Sequence, residues 1–347
     1  KSLGNGIDPL EVIDKYGADA LRLTLMTGNA PGNDMRFYWE RVEASRNFAN
    51  KVWNASRFIM MNLEKAEVPS KMPKDKLTLA DKWILSKVNT LATEVTDNMD
   101  RYELGIAVQK VYDFIWEEFC DWYIEMVKPR LYSETDETKG AALWTLKTVL
   151  GNALKLLHPF MPYITEEIWQ VLTNEESMIM LESYPVYTEE HAYAEAAQFE
   201  KVIDAIRAIR NCRTSMNVPP SKKASVYIET QDTELFAAAA VFFEKLASAS
   251  SVEVGTSFDL QDAATAVTDS ARIFIPMAEL VDREKELARL QKEQQKAQKD
   301  IDFLQKKLNN PGFLAKAPEQ LVAAERAKLA KATEKMEKIL QSIAGLQ

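Results

Sequence analysis

A lysine and a serine stand beside a glycine in the run KSLGN, residues 1–5, and Asp8-Pro9 follows. Asp is favoured just before the first turn of a helix and Pro at its first position, so a helix is predicted from here. A lysine in a glycine-containing loop is a point charge suited to triphosphate oxygens, acting mainly on the transition state. Five residues form a weak motif, and taken alone we interpret them as a flexible end.

A second candidate lies on a helix predicted over residues 38–64. At about 100° per residue its packing side carries Ala49, Val52, Trp53, Ser56, Ile59, Met60 and Leu63. The opposite side carries Asn47, Asn50, Lys51, Asn54, Arg57 and Phe58. An exposed aromatic beside a cation and amides is how proteins stack an unpaired base and hold its phosphate. The alternative is that Phe58 packs under a neighbouring helix or loop, because isolated surface apolar residues are common.

Residue types that serve other chemistries are scarce. The chain has two histidines, His158 and His191, and two cysteines, Cys120 and Cys212, far apart in the sequence. This argues against a His-based triad and against a Cys/His zinc cluster. We interpret His158 as satisfied by helix-end backbone and Cys120 as a small buried hydrophobe. The cysteine usage predicts a reducing, cytoplasmic setting.

Composition describes an ordinary globular chain of 347 residues, 46% apolar and 27% charged, with 11 glycines. No apolar run approaches the roughly 18 residues of a membrane span, so we expect no membrane contact. The net charge of −9 argues against a generic nucleic-acid binder, but it is uneven. From Val281 onward the chain has 14 Lys and Arg and 10 Asp and Glu, a net charge of +4. The remainder of the chain has a net charge of −13. Such an asymmetry marks either a tail with its own partner or a solvated helical hairpin.

Hydrophobic periodicity predicts a mainly α fold. Helices are expected at about 38–64, 79–100, 104–132, 137–157 and 162–173, joined by the short connections of a helical bundle. A continuous helix is expected through LEVIDKYGADALRLTLM, ending at TGNAPGND, residues 27–34. A small α+β module is predicted from about residue 196. It begins with a helix, and the strand-like runs ASVYIE, SVEVG and ARIFIP follow, with a further helix over 232–248.

The last section repeats apolar residues at 3-4-3-4 spacing in two runs. The first is Leu287, Leu290, Gln294, Ala297, Ile301, Leu304 and Leu308; the second is Val322, Glu325, Leu329, Ala332, Met336, Ile339 and Ile343. Two such helices joined by NNPGFLAKAP predict an antiparallel coiled-coil hairpin. About 28 residues give an arm roughly 40 Å long, suited to reaching a large partner.

Together these stretches resemble a known family. KSLGNGIDPLEVIDKYGADALRLTL resembles the segment of class I aminoacyl-tRNA synthetases after the first three letters of the KMSKS signature, so KMS would precede Lys1. The stretches APGNDMRF, RNFANKVWNASRF, EFCDWYIEMVKP, HPFMPYITEEIW, MNVPPSKK and NNPGFLAKAP resemble, in that order, the post-KMSKS part of the valyl-tRNA synthetases. The resemblance covers essentially the whole chain. Isoleucyl and leucyl relatives share the first motif but are disfavoured by the coiled-coil tail.

The resemblance implies roles for individual residues. Lys1 matches the second KMSKS lysine, which helps bind ATP and stabilises the leaving pyrophosphate, and Ser2 is the final serine of that motif. Lys51 and Phe58 match positions that touch anticodon bases, and Asn54 and Arg57 are supporting candidates from the same face. In the arm, which would contact the outer corner of the tRNA, the candidates are Lys328, Lys306, Lys307 and Lys316.

The resemblance also implies an organisation and a function. Residues 1–37 would hold the end of the KMSKS loop and a stem-contact region, 38–190 the helical anticodon-binding domain, 191–280 a small α+β linker, and 281–347 the coiled-coil tRNA-binding arm. We expect the tRNA-recognition portion of a monomeric valine–tRNA ligase, which uses L-valine, ATP and Mg²⁺. The HIGH motif is absent from the sequence, so we expect this chain alone to be inactive and to bind no cofactor.

Two other classes of protein remain open at this point. One is a stand-alone RNA-binding or assembly protein derived from such a domain. The other is a structural helical protein whose coiled coil dimerises.

Overall fold

The structure is a computed structural model that describes residues 6–28, 36–174, 177–280, 283–309 and 319–344. Contacts between residues divide the chain into two compact units, Lys1–Ile206 and Arg207–Gln347. The mainly α fold predicted from periodicity is confirmed. In the part of the chain described, no helix is both long and apolar enough to cross a membrane.

The first unit consists of helices. They are α1 (Pro9–Tyr16), α2 (Ala18–Met26), α3 (Trp39–Leu63), α4 (Leu79–Asp100), α5 (Leu104–Asp113), α6 (Ile124–Tyr132), α7 (Lys139–Leu157) and α8 (Pro162–Leu172). A π-helical segment, Phe114–Tyr123, joins α5 directly to α6. Single 3₁₀ turns lie at Lys74–Lys76, Ile179–Leu181 and Glu189–His191, and α9 (Glu195–Ser215) begins in this unit.

Helix α1 begins where Asp8 and Pro9 predict, but it ends earlier than predicted. The Asp8 carboxylate accepts a hydrogen bond from the Leu10 backbone N–H at 2.9 Å, with Pro9 at the first helical position. The continuous helix expected through residues 10–26 is wrong, because Gly17 has a φ of +91° and separates α1 from α2. Only glycine adopts such a conformation readily, so the break is encoded by one residue.

A buried polar network joins the helices of the bundle. Asp81 has no solvent exposure, and its Oδ1 accepts hydrogen bonds from the Tyr123 hydroxyl at 2.6 Å and from Arg130 Nη1 at 2.8 Å. Its Oδ2 accepts from the Thr78 N–H at 2.8 Å, closing a capping box at the start of α4. Arg130 also donates to the Thr138 hydroxyl at 2.8 Å, so α4, the π-helical segment, α6 and the start of α7 are tied together.

A second polar contact docks α2 on the corner between α7 and α8. The buried Asp19 carboxylate accepts hydrogen bonds from the Ile164 N–H at 2.7 Å and the Tyr163 N–H at 3.3 Å, at the start of α8. Arg22 donates to the Pro159 carbonyl at 3.0 Å. Burial raises the pKa of Asp19, while the helix N-terminus favours its charged form.

The second unit contains a four-stranded sheet in the order β2-β1-β4-β3. The strands are β1 (Ala224–Thr230), β2 (Ala249–Gly255), β3 (Ala263–Val267) and β4 (Ala271–Pro276). β1 and β2 are parallel and joined through α10 (Thr233–Ala238) and α11 (Ala240–Leu246), while β4 pairs antiparallel with β1 and β3. Three of these strands are predicted by the sequence. β3 is not, because its alanine-rich run AATAV lacks the usual enrichment in branched and aromatic residues.

After α12 (Met277–Leu280), two long helices, α13 (Arg283–Leu308) and α14 (Glu319–Ala344), pack against each other. Ala297, Ile301 and Met336 form a buried cluster, with Leu329 and Ala332 packed on it. Lys307, near the end of α13, lies 3.3 Å from Glu325, near the start of α14, so the helices run antiparallel. The predicted seam positions Leu287, Leu290, Ile339 and Ile343 have side chains outside the described set.

The network around Asp81 generates the first prediction. Arg130→Met leaves a buried carboxylate without its cation, so we expect the free energy of unfolding to fall by about 3–5 kcal/mol. All seven tryptophans lie between residues 39 and 169, so urea unfolding followed by tryptophan fluorescence reports the first unit.

The matched control is Glu137→Gln, which removes the exposed ion pair between Glu137 and Lys76, 2.6 Å apart. We expect its urea midpoint to stay at the wild-type value, because exposed pairs contribute little. An Arg130→Met midpoint equal to that of Glu137→Gln would contradict the role given to the network.

Candidate nucleic-acid interface

Helix α3 presents one buried and one exposed face. Its buried residues are Val42, Ser45, Phe48, Val52, Ser56, Ile59 and Asn62. The exposed side includes Asn47, Asn50, Asn54 and Arg57, as the helical spacing predicts. Lys51 and Phe58 lie at the flank of this exposed side and are half-buried. Lys51 and Phe58 are seven positions apart on this helix, so their Cα atoms lie about 10 Å apart along its axis.

The Lys51 ammonium is held between two groups of the π-helical segment. Its Nζ lies 2.7 Å from Asp121 Oδ1 and 3.8 Å from the centre of the Trp116 ring. The Lys51 side chain is 22% exposed and that of Asp121 is 53% exposed. A pair in contact with water contributes little stability, so an incoming anion has only a weak partner to displace.

Phe58 has a neighbour that the helical spacing of α3 does not reveal. Lys128, on α6, places its ammonium 5.5 Å from the centre of the Phe58 ring and forms an ion pair with Glu125. Phe58 is half-buried and has a neighbour on another helix, so both interpretations of this residue stay predictions. The ring keeps partial exposure, with a cation beside it, which is the local chemistry of a stacking platform.

Aromatic rings and cations also cluster where α1 meets the start of α3, and this group is absent from the sequence predictions. Its members are Lys15, Tyr16, Phe37, Tyr38, Trp39, Arg41 and Arg46. Lys15 Nζ lies 5.3 Å from the Tyr16 ring centre and 5.5 Å from that of Trp39. Tyr38 and Trp39 are 45% and 38% exposed. The signal in the sequence is the run of three aromatics flanked by arginines in RFYWERVEASR, residues 36–46.

The candidate lysines of the arm differ in their surroundings. Lys328 is exposed and donates a hydrogen bond to Glu325 Oε1 at 3.0 Å, the main cause of the lowered pKa of that carboxyl. Lys307 is half-buried against the same carboxylate, whereas Lys306 is exposed and has no acidic partner among the residues described. Lys1, Ser2 and Lys316 lie outside the described residues.

Of the two histidines, His158 has a side-chain partner on α8. His158 Nδ1 lies 2.7 Å from the Thr165 hydroxyl on α8, so its partner is a side chain and not the expected backbone group. Burial lowers the pKa of His158. Within the described ranges, no three His, Cys, Asp or Glu side chains form a group that could hold a metal ion.

Three family models match the chain, in order along it. They are described as tRNA synthetases class I (I, L, M and V), matching residues 1–38; the anticodon-binding domain of tRNA ligase, matching residues 81–228; and the valyl tRNA synthetase tRNA binding arm, matching residues 282–347. Helix α3 lies between the first two matches.

Curated relatives are similar over the whole chain. Valine–tRNA ligases of Clostridium acetobutylicum and Clostridium perfringens are 52% and 51% identical to it over 100% of its length, and that of Bacillus subtilis is 44% identical over 94%. The chain spans about two fifths of these relatives, 40%, 40% and 38% of their lengths.

The π-helical segment that holds Lys51 also generates a prediction about Cys120. Burial raises the pKa of the Cys120 thiol to about 12, so at pH 9 only about a thousandth of it is thiolate, the reactive form. We therefore expect iodoacetamide at pH 9 to label half-buried Cys212 in the native chain and to leave Cys120 unmodified, as read by peptide mass spectrometry.

Labelling in urea is the control, since both thiols then react. Rapid labelling of Cys120 in the native chain would show that the π-helical segment does not bury it.

Proposed function

The chain belongs to the valyl-tRNA synthetase family, and we propose that it is the tRNA-recognition portion of a valine–tRNA ligase. The observation that carries this proposal is the order of the three family matches within one chain. The similarity over its whole length supports it. In the complete enzyme, a catalytic part outside these residues would join L-valine to tRNAVal with ATP and Mg²⁺. We place that enzyme in the cytoplasm, as a monomer.

We assign the anticodon contact to the flank of α3. An unpaired base would stack on Phe58, whose ring is partly exposed and has the Lys128 ammonium 5.5 Å from its centre. Lys51 would exchange Asp121 for a phosphate, because its indole contact with Trp116 keeps the ammonium in place. Asn54 and Arg57, exposed between them, would supply donors to base edges or backbone.

We assign a tRNA stem to the aromatic and basic cluster around Trp39, part of which lies in the stem-contact region proposed for residues 1–37. The arm, 281–347, would reach the outer corner through Lys328 and Lys306, with Lys307 and Lys316 as further candidates. The positive charge of this section supports the assignment, since cations bind phosphates by releasing counterions. Residues 38–190 and 191–280 remain the proposed anticodon-binding domain and linker.

Lys1 and Ser2 receive the only proposed role in the chemical step. As the last residues of a KMSKS-like loop, they would bind ATP and stabilise the leaving pyrophosphate in the complete enzyme. We propose that the 347-residue chain by itself holds neither ATP nor Mg²⁺ at this loop as a cofactor.

The anticodon assignment is tested by a gel shift of the chain with tRNAVal and with a tRNAVal carrying a swapped anticodon. We expect Phe58→Ala to weaken binding of tRNAVal by about 1–3 kcal/mol, the usual loss for one stacked base. Binding of the swapped tRNA should be weaker at the outset and insensitive to this substitution.

Met61→Ala is the matched control, because Met61 is an exposed apolar residue on the same helix. An unchanged affinity for tRNAVal in Phe58→Ala would remove the stacking assignment. A dimer in sedimentation with no tRNA shift at all would instead favour a purely structural protein.

Valine-dependent exchange of pyrophosphate into ATP tests whether catalysis requires a part of the enzyme outside these residues. We expect no activity above background from the 347-residue chain, because its sequence contains no HIGH motif to position ATP against Lys1. Clear exchange by the purified chain would overturn the assignment of catalysis to another part of the enzyme.

A further inference from the structure

Helix α7 has two sides of opposite character. The residues Leu143, Leu146, Leu150, Leu154 and Leu157 are buried in the bundle. The other side carries Trp144, Lys147, Thr148, Gly151, Asn152 and Lys155, spaced three and one residues apart so that they align along one stripe. This stripe lines a cleft of about 400 Å³, whose other walls are residues 68–70 and α8 around Trp169. Its volume is in the range of small-molecule sites.

Two indoles give the cleft an aromatic character. Trp144 is half-buried and meets the His191 ring edge-on, with ring centres 6.3 Å apart. Trp169 is buried, donates its indole N–H to the Ser177 hydroxyl at 3.2 Å, and has the Lys155 ammonium 5.0 Å from its ring centre. The partly exposed indole is Trp144, and it is the ring on which a planar ligand would stack.

The charge of the cleft selects anions. Lys147 and Lys155 line it, and the lining includes no carboxylate among the residues described. Lys155 forms an ion pair with Glu182 at 3.2 Å, whereas Lys147 is exposed and has no acidic partner in the described part of the chain. Lys147 lies one turn from Trp144, so a flat ring on the indole and an anion on the ammonium would belong to one small ligand.

Gly151 deepens the cleft beside Trp169. A Cβ added there would lie 3.5 Å from Trp169 Cζ3, an ordinary contact, so alanine would fit without strain. Glycine within a helix is less stable than alanine, and packing alone does not require it at this position. Without that methyl group, Gly151 and Trp169 line the cleft together with Thr148 and Asn152.

We propose that this cleft binds a nucleoside monophosphate unit, either free or as an unpaired residue of an RNA. The base stacks on Trp144, the phosphate pairs with Lys147, and Thr148 and Asn152 hydrogen-bond the base edge. Both polar side chains line the cleft and are half-buried. The cleft lies on α7 and α8, apart from the α3 residues assigned to the anticodon, and the inference does not depend on that assignment.

Isothermal titration calorimetry of the 347-residue chain with AMP, GMP, CMP and UMP tests the site, with adenosine and inorganic phosphate as partial ligands. We expect saturable binding of the nucleotides and weaker binding of either part alone. Trp144→Ala should weaken it about 5- to 150-fold, the equivalent of 1–3 kcal/mol for one stacked base. Lys147→Ala should weaken it and make the remaining affinity less dependent on salt.

Two variants separate loss of the site from loss of the fold. Gly151→Ala should weaken nucleotide binding while raising the thermal midpoint of the chain, which a folding defect would not do. Lys245→Ala, an exposed lysine of the second unit, removes the same charge elsewhere and should bind like wild type. Phe58→Ala should also bind mononucleotides normally, so failure of the anticodon assignment and failure of this one are distinguishable.

A single-stranded octanucleotide distinguishes the two sources of the ligand. An affinity at least tenfold above that of AMP, lost in Trp144→Ala, assigns the site to RNA; an affinity equal to that of AMP assigns it to free nucleotide. The proposal is overturned if no nucleotide binds, if inorganic phosphate binds as tightly as AMP, or if Trp144→Ala binds like wild type.

Discussion

The buried carboxylate of Asp81 is the constraint around which the helical unit is arranged. A charge without solvent exposure is stable only where cations and hydrogen-bond donors surround it, and Arg130, Tyr123 and Thr78 supply them. These partners come from different elements, so satisfying one carboxylate sets the relative position of α4, the π-helical segment and α6. Arg130 extends the same network to Thr138, at the start of α7.

The network around Asp81 also positions the residues of the candidate interface. Tyr123 ends the π-helical segment, and the same segment carries Trp116 and Asp121 to the Lys51 ammonium. Lys128, two residues before the Arg130 anchor, lies beside Phe58. The groups that accompany the proposed stacking platform are thus fixed by the core below them, which favours a preorganised surface.

The arm also contains a buried carboxylate that is paired with cations. Glu325 is buried in the seam between α13 and α14, where Lys307 and Lys328 meet its two oxygens. A carboxylate at a seam position favours the alignment of the two helices that keeps these cations beside it. Among the candidate lysines of the arm that the structure describes, Lys306 is exposed and has no acidic partner in the described residues, whereas Lys307 and Lys328 are paired with Glu325.

Local sequence determined most of the helices, three of the four strands and the main exposed face of α3, but not the break at Gly17 or strand β3. Helical spacing places Val52 and Ile59 in the core and Asn54 and Arg57 in solvent, and the 3-4 repeats identify the arm, because these patterns depend only on residues a few positions apart. The contacts of Lys51 with Asp121, and of Phe58 with Lys128, join residues 70 positions apart in each case, and no local pattern encodes them. The same holds for the cleft beside Trp144, which exists only because α8 and residues 68–70 meet one stripe of α7. Only the tertiary structure decided which polar groups are available to a ligand, because that depends on which side chains from distant parts of the sequence pair with them.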